Sequence, residues 1–142
     1  MNDKLLIMTV GLPRSGKSTW AKKQSCPIVN PDSIRLGLHG QAFVQLAEPF
    51  VWAIAKVMVR ALFLAGHYTV ILDATNTTKA RRKDWVCDDW VTHYKLFSTS
   101  KDECSSRAYK GCLNYLIPII EDMAEKWEDI DEEEENLIKV FE

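Results

Sequence analysis

Short apolar runs rich in β-branched residues recur at 4–10, 27–30, 68–74 and 94–99, and stretches with helical spacing fill the intervals. Brief segments that are apolar throughout suit strands covered on both faces, so the alternation predicts a parallel sheet with helices on either side. The longest helical segment, 48–65, places Glu48, Trp52, Lys56 and Arg60 at multiples of four and is apolar almost everywhere else. One narrow polar stripe of this kind predicts a helix buried in the core or at a subunit contact, with Gly66 as its stop. Ser100 and Glu103 have capping-box spacing and start a further helix. Pro118 marks the first turn of another, running to about Trp127. The run Leu137-Ile138-Lys139-Val140-Phe141 is open to a terminal strand.

Between the first apolar run and the first helical one lies Gly11-Leu12-Pro13-Arg14-Ser15-Gly16-Lys17-Ser18, followed by Thr19 and Trp20. It matches G-x-x-x-x-G-K-[ST] without a gap. A strand that feeds a glycine turn and opens a helix aims several backbone N–H groups at one point, next to the positive helix end. The arrangement predicts a cradle for a nucleoside triphosphate, built from Gly11, Pro13, Arg14, Ser15, Gly16, Lys17, Ser18 and Thr19. Lys17 would reach the outer phosphates and the Ser18 hydroxyl would ligate Mg²⁺.

Four other groupings carry candidate chemistry. Asn30-Pro31-Asp32-Ser33-Ile34-Arg35 follows a short strand, at the edge where open parallel sheets bind ligands. With Pro31 at the first helical position, Asn30 caps the helix and sets Asp32 and Arg35 on one face. Such a pair reads either as a cap with a surface arginine or as a proton acceptor beside a guanidinium. Val70-Ile71-Leu72-Asp73 is an apolar strand ending in a carboxylate, the pattern that holds Mg²⁺ or its water shell beside a phosphate loop. Lys79-Ala80-Arg81-Arg82-Lys83 is either a solvated helix face or a guide for a phosphodiester backbone. Arg107 and Lys110 sit one turn apart on the helix begun at Ser100, placed as cations over a transferring phosphoryl group. Tryptophans 20, 85 and 90 read as core before they read as base-stacking platforms.

The chain has 142 residues, enough for one domain with a real core. Its net charge of −2 hides a division: residues 1–120 carry 16 Lys and Arg against 9 Asp and Glu, whereas residues 121–142 carry 2 against 11. A basic body suits a polyanionic ligand. The acidic segment at about 128–136 reads as a solvated linker. Four cysteines without paired spacing read as free thiols in a reducing cytosol, and three scattered histidines give no transition-metal set. No apolar stretch is long enough to span a membrane, and Met1-Asn2-Asp3-Lys4 runs straight into the first strand without a signal peptide. Lys101 and Asp102 are adjacent, which excludes the N-K-x-D signature of guanine specificity.

Taken in order, G-L-P-R-S-G-K-S-T-W at 11–20, N-x-D-x-x-R at 30–35, D-A-T-N at 73–76 with Arg81-Arg82 and Trp85, and an Arg-bearing helix at 101–111 resemble the kinase domain of bacteriophage polynucleotide kinase and related small P-loop kinases. The likeness runs from Lys4 to about Met123. It implies a P-loop NTPase fold of adenylate-kinase type, ATP and Mg²⁺ as cofactors, and transfer of the γ-phosphoryl group to a hydroxyl. In the phage enzyme the acceptor is the 5′-hydroxyl of a nucleic-acid end. By the same resemblance Asp32 is the general base, Arg35 contacts the reacting phosphate or acceptor, Asp73 belongs to the active-site shell, and Arg107 with Lys110 belongs to the lid. The family's later lid arginine has only Lys110 and Gly111 near its place, and lysine is the poorer fork for a phosphoryl group. The phage enzyme's phosphatase domain has no counterpart in the sequence, so a paired end-healing activity is not expected here. A small-molecule kinase remains the alternative, because 36–43 contains few cations. A nucleotide hydrolase or switch is the third reading. The expected setting is the cytoplasm, including that of a phage-infected bacterium.

Overall fold

The computed structural model describes residues 3–40 and 43–142. Five parallel strands form one sheet in the order β2-β3-β1-β4-β5. They are β1 (Leu5–Val10), β2 (Ile28–Val29), β3 (Thr69–Leu72), β4 (Val91–Leu96) and β5 (Lys139–Phe141). The central strand β1 pairs with β3 from Leu5 opposite Thr69 to Met8 opposite Leu72, and with β4 from Leu5 opposite Val91 to Val10 opposite Leu96. The helices are α1 (Lys17–Lys22), α2 (Pro31–His39), α3 (Glu48–Leu64), α4 (Lys79–Lys83), α5 (Lys101–Lys110), α6 (Leu116–Glu125) and α7 (Glu132–Leu137), with one 3₁₀ turn at Gln45–Ala47. No helix among the described residues is long and apolar enough to cross a membrane.

The main core gathers Leu6, Met8 and Val10 of β1, Val70 and Leu72 of β3, and Val51, Ala55, Val59 and Phe63 of α3. Those α3 residues recur every four positions and form one ridge, which seats the helix on the sheet. A second cluster joins Leu12 to Cys104, Ala108 and Ile120, tying the α5–α6 hairpin to the loop after β1. The predicted caps form: Asn30 Oδ1 accepts from the N–H of Asp32 at 2.8 Å, and Ser100 Oγ from that of Glu103 at 3.1 Å. All four cysteines are free.

The structure corrects the sequence reading in four places. β4 covers 91–96 rather than 94–99, because Thr92 and Tyr94 turn inward while Val91 and His93 turn away, a one-sided alternation that an all-apolar criterion passes over. α3 is not largely buried: Phe50, Val57 and Leu64 are exposed, and only the Val51–Phe63 ridge is covered. The acidic segment is not a linker. Its residues cap and form α7, with Asp131 Oδ1 accepting from the N–H of Glu134 at 2.8 Å, and β5 follows as the terminal strand. Arg82, finally, is 0% exposed and cannot touch a phosphodiester backbone.

Arg82 explains how the acidic segment is held. Its Nε and Nη2 donate to the two carboxylate oxygens of Glu134 at 2.8 and 3.0 Å. Nη1 donates to the Asn76 carbonyl at 3.0 Å, and Nη2 also reaches the carbonyls of Glu128 and Asp129. Nearby, Lys79 Nζ lies 2.8 Å from Asp131 Oδ2. The opposed charges of the basic body and the acidic C-terminal segment thus meet in a fold-building contact.

Candidate active site

The loop after β1 takes its shape from glycine and from two unusual backbone angles. Gly16 has φ 103°, and Arg14, a non-glycine, has φ 68° in the same left-handed region. A Cβ on Gly11 would stand 2.6 Å from Ser15 Oγ and 2.9 Å from Phe97 Cβ, so only glycine fits there. The loop is pinned from both sides, since the Gly11 N–H donates to the Thr75 carbonyl at 2.9 Å and Thr99 Oγ1 to the Ser15 carbonyl at 3.0 Å. A cleft of about 240 Å³ opens above it, lined by Arg14, Gly16, Lys17, Ser18, Thr19 and Arg107.

Lys17 is 8% exposed, and its ammonium donates to the Leu12 carbonyl at 2.6 Å. Burial pulls its pKa down to about 8, against the opposing pull of the Asp73 and Asp32 carboxylates. Ser18 Oγ donates to Asp73 Oδ2 at 2.7 Å, and the Asn30 amide donates to the same oxygen at 3.2 Å. A hydroxyl beside a carboxylate is the hard-oxygen set that Mg²⁺ prefers. The C-terminal end of β3 is fixed by Thr9, whose hydroxyl donates to the Ala74 carbonyl at 2.7 Å and accepts from the Ala74 N–H at 3.0 Å.

Asn30 links this group to the next. One face of its amide caps α2 at Asp32 while the other reaches Asp73, so Ser18, Asp73, Asn30 and Asp32 form a continuous chain of hydrogen bonds. The Asp32 side chain is 77% exposed and accepts from Arg35 Nη1 at 2.6 Å. Arg35 is forked onto Glu48 through Nε at 2.9 Å and Nη2 at 2.7 Å, and this pairing holds the Glu48 carboxyl below the usual range. Beyond Arg35, its Cζ 6.0 Å from the ring centre, lies the Trp52 indole, which also carries Arg81 with Cζ at 3.9 Å.

On the lid side, Arg107 Nη1 donates to the Arg14 carbonyl at 3.1 Å, which places this cation over the loop. Lys110 lies exposed in the last turn of α5 and does not line the cleft. The Arg14 guanidinium instead approaches that turn, with Nη2 3.1 Å from where a Gly111 Cβ would stand. The structure therefore gathers Lys17, Ser18, Thr19, Arg14, Gly16 and Arg107 in one cleft, with Asp73, Asp32 and Arg35 joined to it through Asn30. Sequence reasoning missed Glu48 as the support of Arg35, Thr9 and Thr99 as anchors, and the Trp52–Arg81 stack. The four-residue spacing of Glu48 and Trp52 was their one visible signal.

Sheet order, loop and cleft define the class of small P-loop kinases. Residues 6–110 match the AAA domain family, and the chain belongs to it. Comparison with curated proteins gave no significant match. Among solved structures, a chain of the Pnkp1/Rnl/Hen1 complex is 27% identical with a TM-score of 0.66, covering 75% of this chain and 40% of its own length. This chain thus spans less than half of that relative. A gluconokinase from Sinorhizobium meliloti 1021 is 16% identical with a TM-score of 0.63 and coverage of 99% and 83%. The Mycobacterium tuberculosis APS kinase CysC, solved with AMPPNP and APS, is 19% identical with a TM-score of 0.56 and coverage of 79% and 72%. These two show the shared fold alone.

Proposed function

We propose that this protein is an ATP-dependent kinase that transfers the γ-phosphoryl group to the 5′-hydroxyl end of a polynucleotide. The observation that carries the reading is the chain of hydrogen bonds from Ser18 through Asp73 and Asn30 to the backbone N–H of Asp32, which ties the start of α2 to the phosphate loop, with the exposed Asp32 carboxylate acting on the charge of Lys17. The resemblance to polynucleotide kinases and the likeness to the Pnkp1/Rnl/Hen1 chain support the choice of acceptor.

In this reading the amides of residues 11–18 and the α1 N-terminus cradle the triphosphate, and Lys17 leaves the Leu12 carbonyl to pair with its outer oxygens. Ser18 and Asp73 would hold Mg²⁺, which would neutralise charge on the outer phosphates. Asp32 accepts the proton of the attacking hydroxyl as the new O–P bond forms and the bond to the β-phosphate oxygen breaks, releasing ADP. Arg35, held by Glu48, fixes the carboxylate of Asp32. Arg107 and Arg14 face the transferring group from the lid side.

The test is a side-by-side assay with γ-labelled ATP and 5′-hydroxyl oligonucleotides, nucleosides and a sugar panel. Label should enter the oligonucleotides. Asp32→Asn should lower the rate by roughly 10²–10⁴ with ATP binding kept. Equal loss of ATP affinity would remove Asp32 from the role of base. Label appearing in a sugar alone would favour the small-molecule reading, which rests on the absence of Lys and Arg from 36–50, although Gln41 and Ala42 lie outside the described residues.

A further inference from the structure

α3 carries two apolar faces. One, the Val51–Phe63 ridge, is covered by the sheet. Successive residues lie about 100° apart around a helix, which puts a second set on the side away from that ridge. There Phe50, Val57 and Leu64 recur every seven residues and are 68, 65 and 83% exposed. Ile54 and Ala61 fall between them, so the spacing alternates four and three, the repeat of helices that pack along a common seam. With Leu46 and Met58 at its margins, the face offers on the order of 700 Å² of apolar surface, above the roughly 300–600 Å² of a monomer's largest patch. It approaches the roughly 800 Å² that each partner of a standard interface buries.

Charge and shape indicate what covers it. Arg60 is the one charged residue among the exposed positions of α3, and it is already held by Asp89 and the Trp90 ring. A seam without a free charge carries no code for an unlike partner, whereas its own copy is equally apolar. Laid antiparallel on that copy, the seam pairs Phe50 with the second copy's Ala61, Ile54 with its Val57, and Leu64 with its Ala47. The largest side chains then meet the smallest ones, as close packing requires. The two Arg60 side chains stand roughly 13 Å apart along the axis, so like charges do not meet. A parallel pair would set Phe50 on Phe50 and Ala61 on Ala61, a clash beside a void.

We propose that this face of α3 is an interface between two copies of the chain, an antiparallel two-fold pair centred on Ile54 and Val57. No residue of the candidate active site takes part, so the inference stands or falls apart from the kinase reading.

Sedimentation equilibrium of the full chain over a concentration series tests it. Wild type should be a dimer at micromolar concentration. Val57→Glu buries a carboxylate in the middle of the seam and should weaken self-association about 100-fold or more. Because Val57 is exposed in the single chain, that variant should keep its far-UV circular dichroism and its ATP affinity. Phe50→Ala and Ala61→Phe should each weaken the dimer about 10-fold, one through a void and the other through a clash. The double variant Phe50→Ala/Ala61→Phe again sets large on small, and its dimer should return to within about threefold of wild type. Losses that add in the double variant overturn the proposal, as does a dimer that Val57→Glu leaves intact. A wild type that stays monomeric up to about 100 µM, too weak for a specific interface of this area, also overturns it.

Discussion

On the phosphate side of the cleft, one continuous loop of eight residues brings its backbone amides together, and a single serine–aspartate bond completes the group. On the proposed acceptor side, Asp32, Arg35, Glu48, Trp52 and Arg81 come from three helices and meet through side chains alone. The first side is fixed by local geometry and tolerates little change, since Gly11 and Gly16 leave no room or no conformation for another residue. The second depends on how α2, α3 and α4 pack, and it is there that substrate choice can vary without disturbing the phosphate loop. Arg81 and Arg82 show the division at its sharpest. They are adjacent in sequence, yet one is a buried strut and the other lies half-exposed on the face of Trp52.

Breaking the phosphate side should have the largest effect. Lys17→Ala should lower kcat/KM by about 10³-fold or more and weaken ATP. Acceptor binding should be retained, as measured by titrating the variant with a fluorescent oligonucleotide. If acceptor and ATP affinities fell together, the two sides would not be separable.

The next test concerns the strut. Arg82→Ala leaves Glu134 as a buried carboxylate without its partner and should cost about 3–5 kcal/mol of stability in urea unfolding. Under conditions where the variant is folded, its KM for polynucleotide should stay near that of wild type. A folded variant with full stability and a raised acceptor KM would remove Arg82 from the role of strut.

The smallest expected effect is one of pH. Lys17 in the folded protein titrates near 8, below its ordinary 10.5, so the unfolded chain binds more protons between those values and stability rises with pH there. Triphosphate binding needs the ammonium, so ATP affinity should move the other way. It should be full below pH 8 and fall roughly three- to tenfold by pH 9, with proton uptake on binding seen by calorimetry in buffers of different ionisation enthalpy. A flat profile would mean that the buried lysine keeps its proton without a ligand.

How much of this could be read in advance depended on whether the information was local. The phosphate loop, the Asn30 cap and the terminal carboxylate of β3 each occupy a few consecutive residues, and all three form as expected. The extent of β4 was misjudged because the cover of its inward polar positions, Thr92 and Tyr94, cannot be read from the strand. The burial of α3 was overestimated for a related reason. Apolar residues all round a helix do not say which ridge the sheet will take, and only Val51, Ala55, Val59 and Phe63 were chosen.

What the amino-acid order determined was the class of molecule: a strand, a glycine turn and a helix that present amides to a phosphate, within an alternation that forms a parallel sheet. Such features follow from backbone conformation over short spans, where neighbours in sequence are neighbours in space. The tertiary structure alone decided which charges were spent on the fold and which were left for a ligand. Glu134 lies 52 positions from Arg82, and Glu48 lies 13 from Arg35. Ion pairs across such distances depend on where whole helices come to rest, and no local spacing encodes that.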